Sequence, residues 1–171
     1  IERRRWFIIS AGAGAVAMQS PSHLDYEPDA EIRPRLTASA GIFVLPNLNV
    51  GGFLGVVSVD GTDPDGSELS AQELYKAVGA TLYFGTPGNV PGDVYPFIQG
   101  GHVWYDISYG TGGDPDVTGT GFFGGAGAIF TIRRTFGIYV AAQALTSSFD
   151  EDGVVFYRTP VEINAGATVI F

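Results

Sequence analysis

Residues 159–171, TPVEINAGATVIF, put Thr159, Val161, Ile163, Ala165, Ala167, Val169 and Phe171 on one side of an extended chain. Pro160, Glu162, Asn164, Gly166, Thr168 and Ile170 fall on the other. A two-residue period is that of a strand with one apolar and one mostly polar face. No segment longer than about ten residues carries a helical period instead. No run approaches the roughly 18 to 20 apolar residues of a membrane-spanning helix. The fold therefore turns on which solvent meets the apolar face of a sheet.

Turn and loop residues cut the chain into eight segments, predicting strands near 4–18, 31–45, 47–59, 70–86, 94–109, 117–132, 136–148 and 157–171. In the second, Ile32, Leu36, Ala38, Ala40, Ile42 and Val44 oppose Arg33, Arg35, Thr37 and Ser39. In the third, Leu48, Val50, Leu54 and Val56 oppose Asn47, Asn49, Gly51 and Gly55. The fourth to seventh are blurred by glycine and aromatics. The first, RRRWFIISAGAGAVAMQS, has the basic start and apolar middle of a secretory leader. Ser10, Gly12 and Gly14 nevertheless recur every second residue, and an even strand number needs the segment, so it is read as a strand.

Connections alternate in length. SPSHLDYEPDA, DGTDPDGSEL, GTGGDPDV and FDEDGVVF are long, whereas the turns at Pro46 and at Arg133 to Thr135 are tight and TPGNVPGD is intermediate. Of the 18 acidic residues, 13 lie in or beside the long connections, while Arg3, Arg4, Arg5, Arg133 and Arg134 mark the other end. Solvated loops alone would carry mixed signs, so this arrangement predicts a molecule polarised along one axis. With a net charge of −9 the chain has no basic stripe for nucleic acid. The absence of cysteine removes thiol catalysis, thiolate metal sites and disulfides.

An eight-stranded up-and-down sheet closes into a barrel and leaves no edges. A water-soluble barrel would bury Arg33, Arg35, Asn49, Glu162 and Asn164 in a greasy cavity, at a cost of several kcal/mol for each unpaired charge. A membrane barrel turns the apolar face to lipid and satisfies both faces. Trp6, Phe43, Phe84, Tyr95, Tyr109, Phe136, Phe149 and Phe171 lie near strand ends and suit its two aromatic girdles. The whole chain thus resembles the small eight-stranded outer-membrane barrels of the OmpA and OmpX type. In that family a terminal aromatic residue is recognised by the outer-membrane assembly machinery; the resemblance assigns that role to Phe171, with Val169, Ala167 and Ile163 on its face.

The expectation is one domain, residues 1–171, folded as an all-β, eight-stranded antiparallel up-and-down transmembrane β-barrel. It is a monomer of the bacterial outer membrane, with termini periplasmic and long loops extracellular. The lumen is filled by side chains, and Arg33, Arg35, Glu73 and Glu162, with Lys76, form a charge network across it. The function expected is non-enzymatic, a structural or surface-contact role for acidic loops over a largely plugged lumen; the alternatives are a narrow passive channel and, less favoured, a lipid A-modifying enzyme. His23 lies near Ser20 and Ser22, yet its loops lack the Asp-Ser pair of the palmitoyltransferase barrels. His102 is followed by Val103 and Trp104, not by the His-x-Ser of lipid A deacylases, and is expected to point inward. No cofactor is expected beyond a weakly held divalent cation such as calcium at Asp60, Asp63 and Asp65. Asp63, Asp65 and Gly66 follow part of a calcium-loop spacing, but Gly61 and Gln72 break it. Gly119, Gly121 and Gly124 match a dinucleotide fingerprint only by chance, since no helix follows. Partners expected are outer-membrane lipid and lipopolysaccharide, the assembly machinery and an envelope or surface protein.

Overall fold

The computed structural model of the chain describes residues 6–18, 31–62, 68–109, 117–151 and 154–171. Ten strands follow one another: β1 (Phe7–Met18), β2 (Glu31–Leu45), β3 (Leu48–Thr62), β4 (Glu68–Tyr83), β5 (Val94–Tyr109), β6 (Val117–Arg133), β7 (Phe136–Leu145), β8 (Ser147–Glu151), β9 (Val154–Arg158) and β10 (Val161–Ile170). They make the eight staves of a closed antiparallel barrel. A break at Thr146 divides the seventh stave into β7 and β8, and Thr159 and Pro160 divide the eighth into β9 and β10. Each stave pairs with its sequence neighbour, and β10 returns to β1 from Ile8↔Ile170 to Ala17↔Val161.

The register sets the tilt. Tyr83 donates its amide to Asn47 O at 2.8 Å, and the row continues through Phe97, Gly127, Ala141, Asn164, Gly14 and Arg35 to Val57. A circuit of the barrel thus regains the third stave ten residues higher. Ten residues of stagger over eight staves incline the strands by about 40° to the axis.

Alternation fixes the two faces. Ile32, Leu36, Ile42, Leu54, Ile138, Val140, Val161 and Ile163 stand exposed around the outside, while Arg35, Asn49, Glu73, Thr81, Gln143, Glu162, Asn164 and Thr168 are buried inside. Two apolar clusters share that interior. Tyr75, Val103, Tyr105, Ile107, Val117, Phe123 and Leu145 pack toward the long connections, and Ile8, Tyr83, Phe97, Ile129, Ala141 and Ile170 pack toward the short turns. Small inner residues make room for the rings: a β-carbon added at Gly55 would stand 1.9 Å from Tyr75 Cε1.

The intermediate connection, 84–93, is tied down at the short-turn end. The Thr131 hydroxyl donates to Val90 O and Asp93 O at 2.9 and 3.1 Å, and Val90 N donates to Tyr95 Oη at 3.0 Å. Gly85 and Gly92 take the positive φ that this path requires.

Three expectations are corrected. β4 stops at Tyr83, not near 86, because Gly85 and Pro87 leave the extended path. Most of FDEDGVVF, read as a long loop, is the hairpin of β8 and β9, paired from Ser147↔Arg158 to Glu151↔Val154. Phe43 and Tyr95, assigned to the girdles, turn inward: Phe43 packs at a tilt against Tyr83, ring centroids 5.9 Å apart, and Tyr95 is buried.

Candidate functional site

The inner face carries charge where β2, β4 and β10 look at one another across the barrel. Arg35, on β2, forms an ion pair with Glu162 on β10, and its second guanidinium nitrogen lies 3.5 Å from Glu73 Oε1 on β4. Neither Arg35 nor Glu162 exposes any side-chain surface. The guanidinium also lies over the Tyr75 ring, 4.5 Å from its centroid, a placement that a planar cation favours.

Neutral groups complete the arrangement. Asn164 Nδ2 donates to Glu162 Oε1 at 2.8 Å, and Gln143 Nε2 donates to Glu162 Oε2 at 3.2 Å. Gln143 accepts in turn from Gln99 Nε2 at 2.8 Å. Each carboxylate oxygen of Glu162 thus has a donor, which a buried charge needs to offset its lost hydration. Arg33 occupies the same face of β2 as Arg35, two residues nearer the long connections, and is partly exposed.

Between this cluster and the aromatic groups at the short-turn end lies a cavity of about 60 Å³. Ser10, Thr37, Thr81, Gln99, Gln143 and Asn164 give it a polar lining. At roughly 10–15 Å³ for each water centre it has room for a few water molecules. Asn164 Oδ1, buried and without a protein donor, belongs to a residue on its wall.

Of the residues expected in the lumen, Arg35, Glu73 and Glu162 come together. Lys76 does not: it stands on the outer face and pairs there with Asp106. His102 is also corrected, pointing outward between Trp104 and Phe122, ring centroids 4.5 and 5.2 Å away, with Nε2 2.8 Å from Thr120 Oγ1. Gln99, Gln143, Asn164 and Tyr75 were not expected in the charge network, although the alternation puts Asn164 on the polar face of its strand. Parity on their strands marks the first three as polar residues facing inward, whereas Tyr75 gives no polar signal of its own.

Asp63 and Asp65, proposed cation ligands, lie outside the described residues, as do His23, Ser20 and Ser22; Asp60 is in β3, but its side chain is not among those described. Tyr109 and Phe149 are likewise in strands without a described side chain. Phe171 is exposed at the short-turn end, its amide donating to Phe7 O at 2.9 Å.

No protein-family profile and no curated protein matches the sequence. Solved structures share the fold. Neisserial surface protein A superposes with a TM-score of 0.69 at 15% identity, over 96% of this chain and 97% of that one. Ail, the attachment invasion locus protein of Yersinia pestis, solved with the heparin analogue sucrose octasulfate, gives 0.63 at 13% identity over 99% and 100%. The outer-membrane protein OprG of Pseudomonas aeruginosa gives 0.62 at 12% identity over 96% and 95%. The chain has the fold of the small eight-stranded outer-membrane barrels.

Proposed function

We propose that this protein is an integral outer-membrane barrel whose lumen is plugged by the Arg35 cluster and whose acidic loops make contacts at the cell surface. Its termini are periplasmic, its long connections face outward, and it carries no enzymatic activity. The observation that carries this reading is the inversion of faces: a charged, hydrogen-bonded interior inside a wall of exposed Leu, Ile, Val and Phe. Only lipid makes that wall favourable.

The surface role follows from charge. Thirteen carboxylates fall in or beside the long connections in the sequence, a charge suited to cationic partner surfaces or to divalent cations bridging the phosphates of lipopolysaccharide. Ail was solved with a polysulfated sugar. The acidic connections here favour partners of the opposite sign, with calcium at Asp60, Asp63 and Asp65 as one such bridge. A narrow channel is the second reading, favoured by the polar cavity beneath the cluster.

The test is refolding into lipid vesicles. A band whose mobility changes on boiling, vesicles that retain a small trapped dye, and calcium-dependent adhesion to lipopolysaccharide-coated surfaces would support the reading. Dye release through the wild-type barrel would favour the channel, and a protein soluble in plain buffer would overturn both.

A further inference from the structure

The outer wall is not uniformly apolar. On β1, β2 and β10 the outward side chains are Phe, Ala, Ile, Leu, Val and Pro up to Ala17, Ile32 and Val161. On β4 and β5 the apolar series is interrupted sooner, at Lys76 and His102, each eight residues along the chain from the short-turn end at Phe84 and Val94. At about 3.3 Å per residue and a tilt near 40°, eight residues climb roughly 20 Å along the axis. That height is several ångströms short of the upper edge of a bilayer core of about 25 Å.

Both residues reach upward. Lys76, half exposed, extends to Asp106, which lies diagonally higher on β5 because Lys76 itself pairs with Trp104. His102 reaches Thr120 on β6, which also pairs with Trp104. Trp104 and Phe122 flank them, exposed. An outward Lys near the bilayer middle costs about 2–4 kcal/mol and falls to about 0–1 near the interface, so lifting the ammonium to the rim is favourable. Among residues with a described side chain, Lys76 is the only cation on the outer wall above the short-turn end.

We propose that Lys76, Asp106 and Trp104 form a seat on the β4–β6 wall for the phosphorylated glucosamine headgroup of the glycolipid in the leaflet at the long-connection end. The assignment of that leaflet rests on the outer-membrane orientation proposed above. Lys76 has N–H donors left for a phosphate after its bond to Asp106. Asp106 holds the ammonium at the rim and has lone pairs for sugar hydroxyls. Trp104, 44% exposed beside His102, offers indole surface to the sugar. A phospholipid phosphate can meet the lysine, and a glycerol hydroxyl the carboxylate, but only a phosphorylated sugar adds a ring for Trp104 to pack on.

The experiment uses the full chain with Trp6→Phe, leaving Trp104 as its one tryptophan, in phosphatidylcholine nanodiscs doped with lipid A, with its dephosphorylated form, or with phosphatidylglycerol. A saturable shift of Trp104 emission with lipid A is expected, about tenfold weaker in Lys76→Gln and in Asp106→Asn and absent with the dephosphorylated form. The boiling-dependent mobility of each variant reports the folded barrel separately. An equal response to phosphatidylglycerol, or a lipid A response that Lys76→Gln leaves unchanged in a folded barrel, would overturn the proposal.

Discussion

Arg35 and Glu162 stand 127 positions apart in the chain and meet inside the barrel as an ion pair sealed from solvent on both sides. Removing one partner leaves a buried charge without compensation, at a cost of roughly 3–5 kcal/mol. Glu162→Ala is therefore expected to lower the urea midpoint in lipid vesicles strongly. Arg35→Met with Glu162→Leu and Glu73→Gln should recover much of that loss, because Glu73 also faces Arg35 and the triple change removes all three buried charges. A single variant as stable as the wild type would show that water reaches the pair.

The Gly55–Tyr75 contact tests the lumen from its packing side. Gly55→Ala sets a methyl against the Tyr75 ring, and overpacking of this kind costs about 1–3 kcal/mol. Tyr75→Leu in the same chain frees the space and should reduce the penalty of the alanine. Urea titration of the four proteins gives the coupling directly, and additive effects would separate the two residues.

Ala165 lies on the outer face of β10, near mid-height of the apolar wall. Arginine there should cost about 2–4 kcal/mol in a bilayer. The same substitution at Thr159, higher on that stave and exposed, should cost much less. Equal effects at the two positions would mean that the wall does not sit in lipid as described.

Conductance examines the cluster as a plug. The wild-type barrel in a planar bilayer is expected to pass little steady current. Joint replacement of Arg35, Glu73 and Glu162 by serine clears three long side chains from one level of the lumen and should raise the current several-fold if the barrel stays folded, as its gel mobility reports. An unchanged trace would place the constriction at the aromatic group near the short turns, where Tyr83, Phe97 and Ile129 pack.

Where the two-residue period was clean, the sequence carried the fold. β2, β3 and β10 have inner and outer faces as their alternation implies, and closure follows from their pairing. The site was readable in part. Arg35 and Glu162 share the polar faces of two clean strands, but which of the inward charges would meet depends on a stagger that only the assembled register reveals. Lys76 could have been excluded from the lumen: Glu73 and Lys76 are three apart, and an odd separation on one strand points them to opposite faces. His102 was harder to place. It follows Gly100 and Gly101, and Trp104 and Tyr105 put an aromatic on each side of the strand, so neither face of β5 stands out as apolar. The break at Thr146 left no sequence mark either: its amide donates to Phe122 O at 2.7 Å while its hydroxyl, not its carbonyl, accepts from Phe122 N at 3.0 Å.

The seam between β1 and β10 joins residues roughly 150 positions apart. Until it zips, an inserted intermediate would present two unpaired backbone edges to hydrocarbon, where each orphaned amide is costly. Contacts between such distant parts of a chain also form slowly. Assembly of this barrel should therefore be late-committing and cooperative, with insertion and closure occurring together, so that weakening the seam lowers the yield of folded protein as well as its resistance to unfolding.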